Sequence, residues 1–346
     1  MESIYWVMAW ACHRACRHCY EARFRPYVRA ELEAVVAQAE AVTPRVIANL
    51  PDRMTYRDGA VERVGRIVLS GGEALLDAVR GRVTYKVIES LRDRYRDRGG
   101  VRIVVQTTGD LLTPVIVDEL LARGVWMISV AGIDDFHVGH QGAERQAALM
   151  RSLAAMFDAA GMRRSGHAAP VRAWHQEDGP VYSFFGATAD MWIGKLWPRG
   201  RAWRNGLSTA TLADNFCAQW SGGKGFLDYG EAGSEVSIEP DGAVYPCCVK
   251  TGAALGNLAE ERLADILDSL RHEPAFAAIN RGEPDAMGLA HGWSEAEFRA
   301  RSHTATPQGA PYANLCIGCD AFHAEVLGPI LAGIRERRRA LKDIAA

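Results

Sequence analysis

Short apolar runs and longer stretches of helical spacing alternate along the first half of the chain. Ile4–Trp10 is an apolar run that reads as a buried strand. Ala30–Ala48 places Leu32, Val35, Val36 and Ala39 on one helical face. Arg66–Leu69 predicts a strand stopped by Ser70-Gly71-Gly72. Val83–Arg98 predicts a helix ending at Gly99-Gly100, and Val101–Gln106 the next strand. Thr113 caps a helix that has Pro114 at its first position and runs to Gly124. Val125–Val130 predicts a fourth strand, and Ala143–Ala160 an amphipathic helix closed by Gly161. Strand and helix alternate four times, which implies parallel strands joined by crossover helices.

Beyond Gly161 the rhythm weakens. Pro180–Ala187 predicts another strand, and Pro198–Gly200 marks a loop. From Ser208 the pattern turns to short strands, Gly-rich turns and cysteines, which places a domain boundary between residues 207 and 208. Glu283–Pro311 reads as an insertion or lid, with one helix signalled by the Ser294…Glu297 capping box. The expected units are residues 1–207 and 208–346, the latter ending in a helix.

At 346 residues the chain is long enough for a large domain and a smaller one. Its formal net charge is −2 with both signs interspersed, which argues against nucleic acid or an anionic membrane as partner. No apolar run reaches the length of a membrane span, and the start of the chain lacks the basic region of a signal peptide. The expected location is therefore cytoplasmic.

The eight cysteines fall into two groups: Cys12, Cys16 and Cys19, then Cys217, Cys247, Cys248, Cys316 and Cys319. Clustering of this kind in a chain of this size points to metal, not to a disulfide framework. Cys12-x3-Cys16-x2-Cys19 comes directly after the first strand. Three thiolates on one loop can hold three irons of a cubane cluster and leave the fourth open to chemistry. On ligand counting alone a zinc site also stands, completed by His13 or His18.

The triplet, with Tyr20 after it and an apolar strand before it, resembles the signature of the radical S-adenosylmethionine (SAM) superfamily. The resemblance covers most of the chain. Ser70-Gly71-Gly72-Glu73 falls where the family has a Gly-Gly-Glu segment that contacts the methionine amino group. His18 takes the position of a ring near the adenine. Thr107-Thr108-Gly109 resembles a Thr-Asn-Gly segment at the end of the third strand, and Ser129 takes the place of a serine at the ribose. Ser129 reads equally as a satisfied core hydroxyl. Pro198-Arg199-Gly200-Arg201 is similar to a late-barrel loop. The fold this implies is a partial (β/α)6 TIM-like barrel. The activity implied is reductive cleavage of SAM to a 5′-deoxyadenosyl radical, which takes a hydrogen atom from a substrate. Flavodoxin or ferredoxin would be the reductant.

Val236-Ser-Ile-Glu-Pro-Asp-Gly242-Ala-Val-Tyr-Pro-Cys247 resembles the start of the SPASM/twitch extension of that superfamily. Its Gly242-x4-Cys247 spacing favours Cys247 over Cys248 as a ligand. Gly256-Asn257-Leu258 and the helix Arg262–Leu270 match the next segment of that extension, and Cys316-x2-Cys319 adds two thiols. Cys217, Cys247, Cys316 and Cys319 are then the expected ligands of a second [4Fe–4S] cluster. The gap from Cys217 to Gly242 exceeds the usual one, and no cysteine comes after Cys319, so the one-cluster twitch form fits best. A zinc ribbon on the same cysteines is the alternative.

Asp135 and His137, in Asp134-Asp135-Phe136-His137 after the fourth strand, are candidates for substrate binding or proton acceptance. Asp228, in the enlarged loop before Gly242, is a third. A loop cap with a surface histidine is the competing reading. His167, His175 and His303 have no partner that the sequence names, and Trp192, Trp197 and Trp203 read as packing. The second cluster suggests net oxidation of a small molecule. The family also includes peptide and protein maturases, many with a leader-binding domain before the barrel. The triplet at residue 12 leaves no room for one here, which tilts the expectation to a small or free-standing substrate. A zinc-stabilised binding protein is the non-enzymatic reading.

Overall fold

The protein is described by a computed structural model covering residues 1–165, 177–187, 195–219, 221–250 and 252–345. His167, His175 and Trp192 lie outside these residues. Strands Glu235–Ile238, Ser3–Val7, Arg66–Ser70, Arg102–Thr107, Val125–Ala131 and Val181–Phe185 lie side by side in that order, all parallel. Arg163–Arg164 extends the sheet beyond Val181–Phe185. Ala243–Tyr245 and Gly256–Asn257 add an antiparallel edge beyond Glu235–Ile238. The sheet is thus a mixed α/β assembly whose parallel part carries the expected open barrel, with helices on its outer face.

The side-chain period of a strand explains both faces. Ile4, Trp6, Ile67, Leu69, Ile103, Val105, Ile128 and Val130 are buried against the crossover helices. They meet Val36 and Val46 of helix Arg29–Asn49 and Val87, Ile88 and Leu91 of helix Tyr85–Tyr95. Val117 and Leu120 of helix Pro114–Ala122 and Leu153 and Phe157 of helix Ala143–Ala159 complete the layer. Each such side chain, fully buried, contributes roughly 1.5–3 kcal/mol. The alternate positions, Tyr5, Val68, Gln106 and Ser129, are only partly buried and face the other way. Thr113 Oγ1 accepts from Ile116 N as the cap predicted for its helix, and Ser294 Oγ accepts from Glu297 N.

Two expectations change. The boundary at 207/208 does not divide the sheet: Glu235–Ile238 pairs in register with Ser3–Val7, so the cysteine-rich part completes the barrel sheet instead of standing apart from it. The helical run Leu315–Leu341 is also long and apolar enough to cross a membrane by length and composition. Its Leu315, Leu327, Leu331 and Ile334 are buried in the core, however, and core packing accounts for that apolarity. The hairpin Thr55–Asp58/Val61–Val64 and the helix Pro274–Arg281 escape the sequence reading.

Candidate active site

The parallel strands end in loops on one side of the sheet, and those loops line one cavity. Cys12, Cys16, His18, Cys19 and Tyr20 come after the first strand there. Ser70, Gly71, Gly72 and Glu73 come after the second, and Gln106, Thr107 and Thr108 close the third. Asp134 and His137 come after the fourth. The triplet and the Gly-Gly-Glu turn are joined through the backbone: Met8 N donates to Ser70 O (2.7 Å), Gly72 N to Ala9 O (3.2 Å) and Glu73 N to Ala11 O (2.9 Å). A Cβ on Gly72 would collide with the Ala11 carbonyl and Cys12 Cβ. The glycine is therefore required first by the triplet loop, and only then by any ligand.

Glu73 is buried and ties two strand ends together. Its Oε1 accepts from Leu75 N (3.0 Å), and its Oε2 from Thr108 N (2.9 Å) and Thr108 Oγ1 (2.8 Å). Thr108 thus acts partly as a strut. Tyr5 Oη lies 2.5 Å from Ser70 Oγ and 3.5 Å from Tyr20 Oη, forming a hydroxyl floor. Burial pushes Tyr5 up to about 12 and Tyr20 well above the ordinary tyrosine value, so both stay neutral phenols at neutral pH. Burial, then His137, lowers His18 to about 4. Its ring, 4.4 Å from that of His137 and 5.5 Å from that of Phe136, is a neutral aromatic surface.

Asp134 Oδ1 accepts from Phe136 N (2.9 Å), His137 N (3.0 Å) and His137 Nδ1 (2.9 Å), and Oδ2 from Ala187 N (2.8 Å). Burial raises its pKa, but His137 and the Ala187 N–H together outweigh that and hold it low. The ligand atoms of His18, Asp134 and His137 lie within 4.8 Å of one another. Asp134 is nevertheless saturated by donors, so the group reads as an Asp–His dyad and not as an ion site. With Nδ1 held by Asp134, Nε2 of His137 is the ring nitrogen left for the cavity.

Three sequence candidates fall elsewhere. Asp135 is exposed and accepts from Gly142 N and Gln146 Nε2, next to the start of the following helix. Asp228 is exposed and accepts from Asn280 Nδ2 (2.7 Å). Ser129 lies 3.0 Å from Ser183 Oγ on the neighbouring strand, the satisfied-hydroxyl reading. None of the three is among the lining residues. His303 is exposed. The sequence reading named Asp134 and Arg201 only within longer segments and passed over Arg14, Lys195 and Tyr5, and all five line the cavity. Alternation along Ile4-Tyr5-Trp6 would have singled out Tyr5.

A second, smaller cavity is lined by Cys217, Cys247, Cys316 and Cys319, with Phe216, Val249, Pro284 and Leu315 around them. Cys248 lines the first cavity instead. Asn314 caps the helix Leu315–Phe322 by accepting from Cys316 N (2.9 Å). Cys316 and Cys319, three apart on that helix, share a face. Burial raises Cys217 well above the ordinary thiol range and Cys316 to about 12; it also raises Cys19 to about 11. Deprotonation of these thiols must then accompany metal binding. Zn–S bonds of about 2.3 Å would bring zinc-bound sulfurs within about 4 Å of one another. Among the described residues the group that close is His18, Asp134 and His137, and it contains no cysteine. The thiols of each set line one cavity, as ligation of a single metal group requires.

Residues 231–320 match the SPASM family, an iron-sulfur cluster-binding domain. That span includes Cys247, Cys316 and Cys319, while Cys217 precedes it. No curated protein matches the chain. Among solved structures, BtrN in complex with AdoMet and 2-DOIA is 16% identical, covering 85% of this chain and 92% of that one, with a TM-score of 0.41. Native anSMEcpe with bound AdoMet and Cp18Cys peptide is 14% identical, covering 96% and 98%, with a TM-score of 0.42. SuiB of Streptococcus suis bound to precursor peptide SuiA is 10% identical, covering 85% and 73%, with a TM-score of 0.32. The family match thus falls on the span that holds the Gly242 to Cys247 spacing: over residues 231–320 the chain is similar to the iron-sulfur cluster-binding domain of the SPASM family, the branch which that spacing resembles.

Proposed function

We propose that this protein is a radical SAM enzyme that oxidises a substrate held in the first cavity, with a second [4Fe–4S] cluster on Cys217, Cys247, Cys316 and Cys319. The observation that carries the reading is the convergence, on one cavity at the strand ends, of the three triplet thiols, the Ser70–Glu73 turn and Thr108. When bound, the cluster and SAM would supply a 5′-deoxyadenosyl radical able to take hydrogen from an unactivated carbon. Cys12, Cys16 and Cys19 would hold three irons. The buried Glu73 keeps the two strand ends together while its Oε1, which accepts one hydrogen bond, retains capacity to accept from an ammonium group. The neutral ring of His18 offers an aromatic face. The apolar cavity walls, including Phe185, Leu196 and Trp197, exclude water from the reacting carbon.

His137, oriented by Asp134, is the group placed to take up a proton as the substrate loses its electron. The four-thiol cavity leaves no open iron, which suits electron acceptance and not SAM binding. We place the protein in the reducing cytoplasm, where clustered thiols stay available to metal. We read the substrate as a small molecule. The test is anaerobic reconstitution, reduction and assay for 5′-deoxyadenosine. The wild type should form it and Cys16→Ala should not. An equal rate in the variant would remove the triplet from the chemistry.

A further inference from the structure

The segment Pro198–Arg201 lies between the two cysteine groups, and its two arginines serve opposite sides. Arg201 faces the triplet loop: its guanidinium donates to Cys16 O (2.9 Å), Ala22 O (2.9 Å) and Phe24 O (2.7 Å). Its backbone N donates to Cys19 O (2.8 Å). Gly200 adopts φ +54°, and a Cβ there would collide with the Tyr20 carbonyl, so the segment presses against the triplet loop.

Arg199 turns the other way. Its Nη2 donates to Cys316 O (3.3 Å) and to Asp320 Oδ1 (3.0 Å), and its Nη1 lies 2.8 Å from Asp320 Oδ2. Its Nε is buried and donates to no partner among the described residues. The Arg199 side chain is only 12% exposed, whereas that of Asp320 is 44% exposed, so water screens the carboxylate more than the cation. Apart from its thiols and Asn215, the neighbouring cavity is walled by the apolar Phe216, Val249, Pro284 and Leu315.

We infer that Arg199 is a positioning residue that raises the reduction potential of the second cluster, with Asp320 as its partly screened counter-charge. The inference rests on the iron–sulfur reading of Cys217, Cys247, Cys316 and Cys319. A reduced cluster carries one more negative charge than an oxidised one, and a fixed cation in a low-dielectric setting stabilises the reduced form. The same helix that carries Cys316 and Cys319 carries Asp320, so the pair also fixes where the cation stands. Arginine suits this place because its guanidinium can bridge a carboxylate and a backbone carbonyl at once and stays charged when buried.

The experiment is an EPR-monitored redox titration of the reconstituted full chain and its variants, with iron counted in each sample. Arg199→Gln should shift the second cluster to a more negative potential, Asp320→Asn to a more positive one, and Arg199→Lys should restore much of the wild-type value. The first cluster should keep its potential in all three. An unshifted second cluster in an Arg199→Gln protein with full iron would overturn the inference, as would equal shifts of both clusters. Should Arg199→Gln fail to hold iron, Asp320→Asn decides: a positive shift supports the role and an unchanged potential removes it. A wild type with no second iron–sulfur signal is a different failure, of the cluster assignment itself, and takes this inference with it.

Discussion

At the scale of single residues, the grouping of thiols and glycines was legible and the polar lining of the cavity only partly so. Cysteine in a C-x3-C-x2-C array and paired glycines at a strand end are dictated by thiolate ligation and by close backbone approach, so residue type alone carries the signal. Adjacent acids carry no such signal: Asp134 and Asp135 differ only in which way a turn points them. The backbone sends Asp134 inward to accept four hydrogen bonds and leaves Asp135 outside the cavity. Accordingly, His137→Gln should slow product formation by about a hundredfold or more while SAM cleavage without substrate persists. Asp135→Asn should leave both rates unchanged. Comparing the two variants in a product assay checks the dyad, and an inactive Asp135→Asn beside an active His137→Gln would reverse it. Gly72 provides a second test. Because a side chain there strikes Cys12 and the Ala11 carbonyl, Gly72→Val should lose first-cluster iron together with SAM binding. The iron count should fall from about eight to about four per chain, since each cubane holds four. Weakened SAM binding with full iron would show that the triplet loop absorbs the clash.

Among the elements, long periodic segments were read from sequence within a few residues of their bounds, because burial of one face imposes the period. The hairpin Thr55–Val64 was missed. Tyr56 is its one buried residue, too little to create alternation, and only Asp58-Gly59 marks the turn. The helix Pro274–Arg281 was missed although Glu273 and Pro274 form its start, with Glu273 accepting from Ala275 N. The helix Leu315–Phe322 matters most for function, since its capped start places Cys316 and Cys319 on one face beside Cys217 and Cys247. Cys319→Ala should lower iron from about eight to about four per chain and stop product formation, while 5′-deoxyadenosine still forms. Cys248→Ala should keep both clusters, because Cys248 faces the other cavity. Iron and sulfide assays on the two proteins decide the ligand set; loss of the cluster in Cys248→Ala with retention in Cys247→Ala would reverse it.

For the whole molecule, the sequence conveyed parallel α/β architecture but not the strand pairing that joins the two expected units. Parallel pairing of Glu235–Ile238 with Ser3–Val7 joins segments distant along the chain, and no local pattern announces a contact of that kind. Its consequence is functional: the strand that leads to the triplet is flanked on one side by the strand that leads toward Cys247. Lys250 and Arg23, from the two cysteine regions, both pair with Glu239 at 2.8 Å. The two thiol sets are therefore parts of one framework, with the cavity and Cys248 between them. Only one of the two clusters should have an open iron for SAM. The most direct measurement is EPR of the reduced, reconstituted protein with and without SAM. The account predicts that SAM alters the signal of one cluster alone, that the change is lost in Cys16→Ala, and that it survives in Cys319→Ala. A spectrum indifferent to SAM, or a change that depends on Cys319 and not on Cys16, would contradict it.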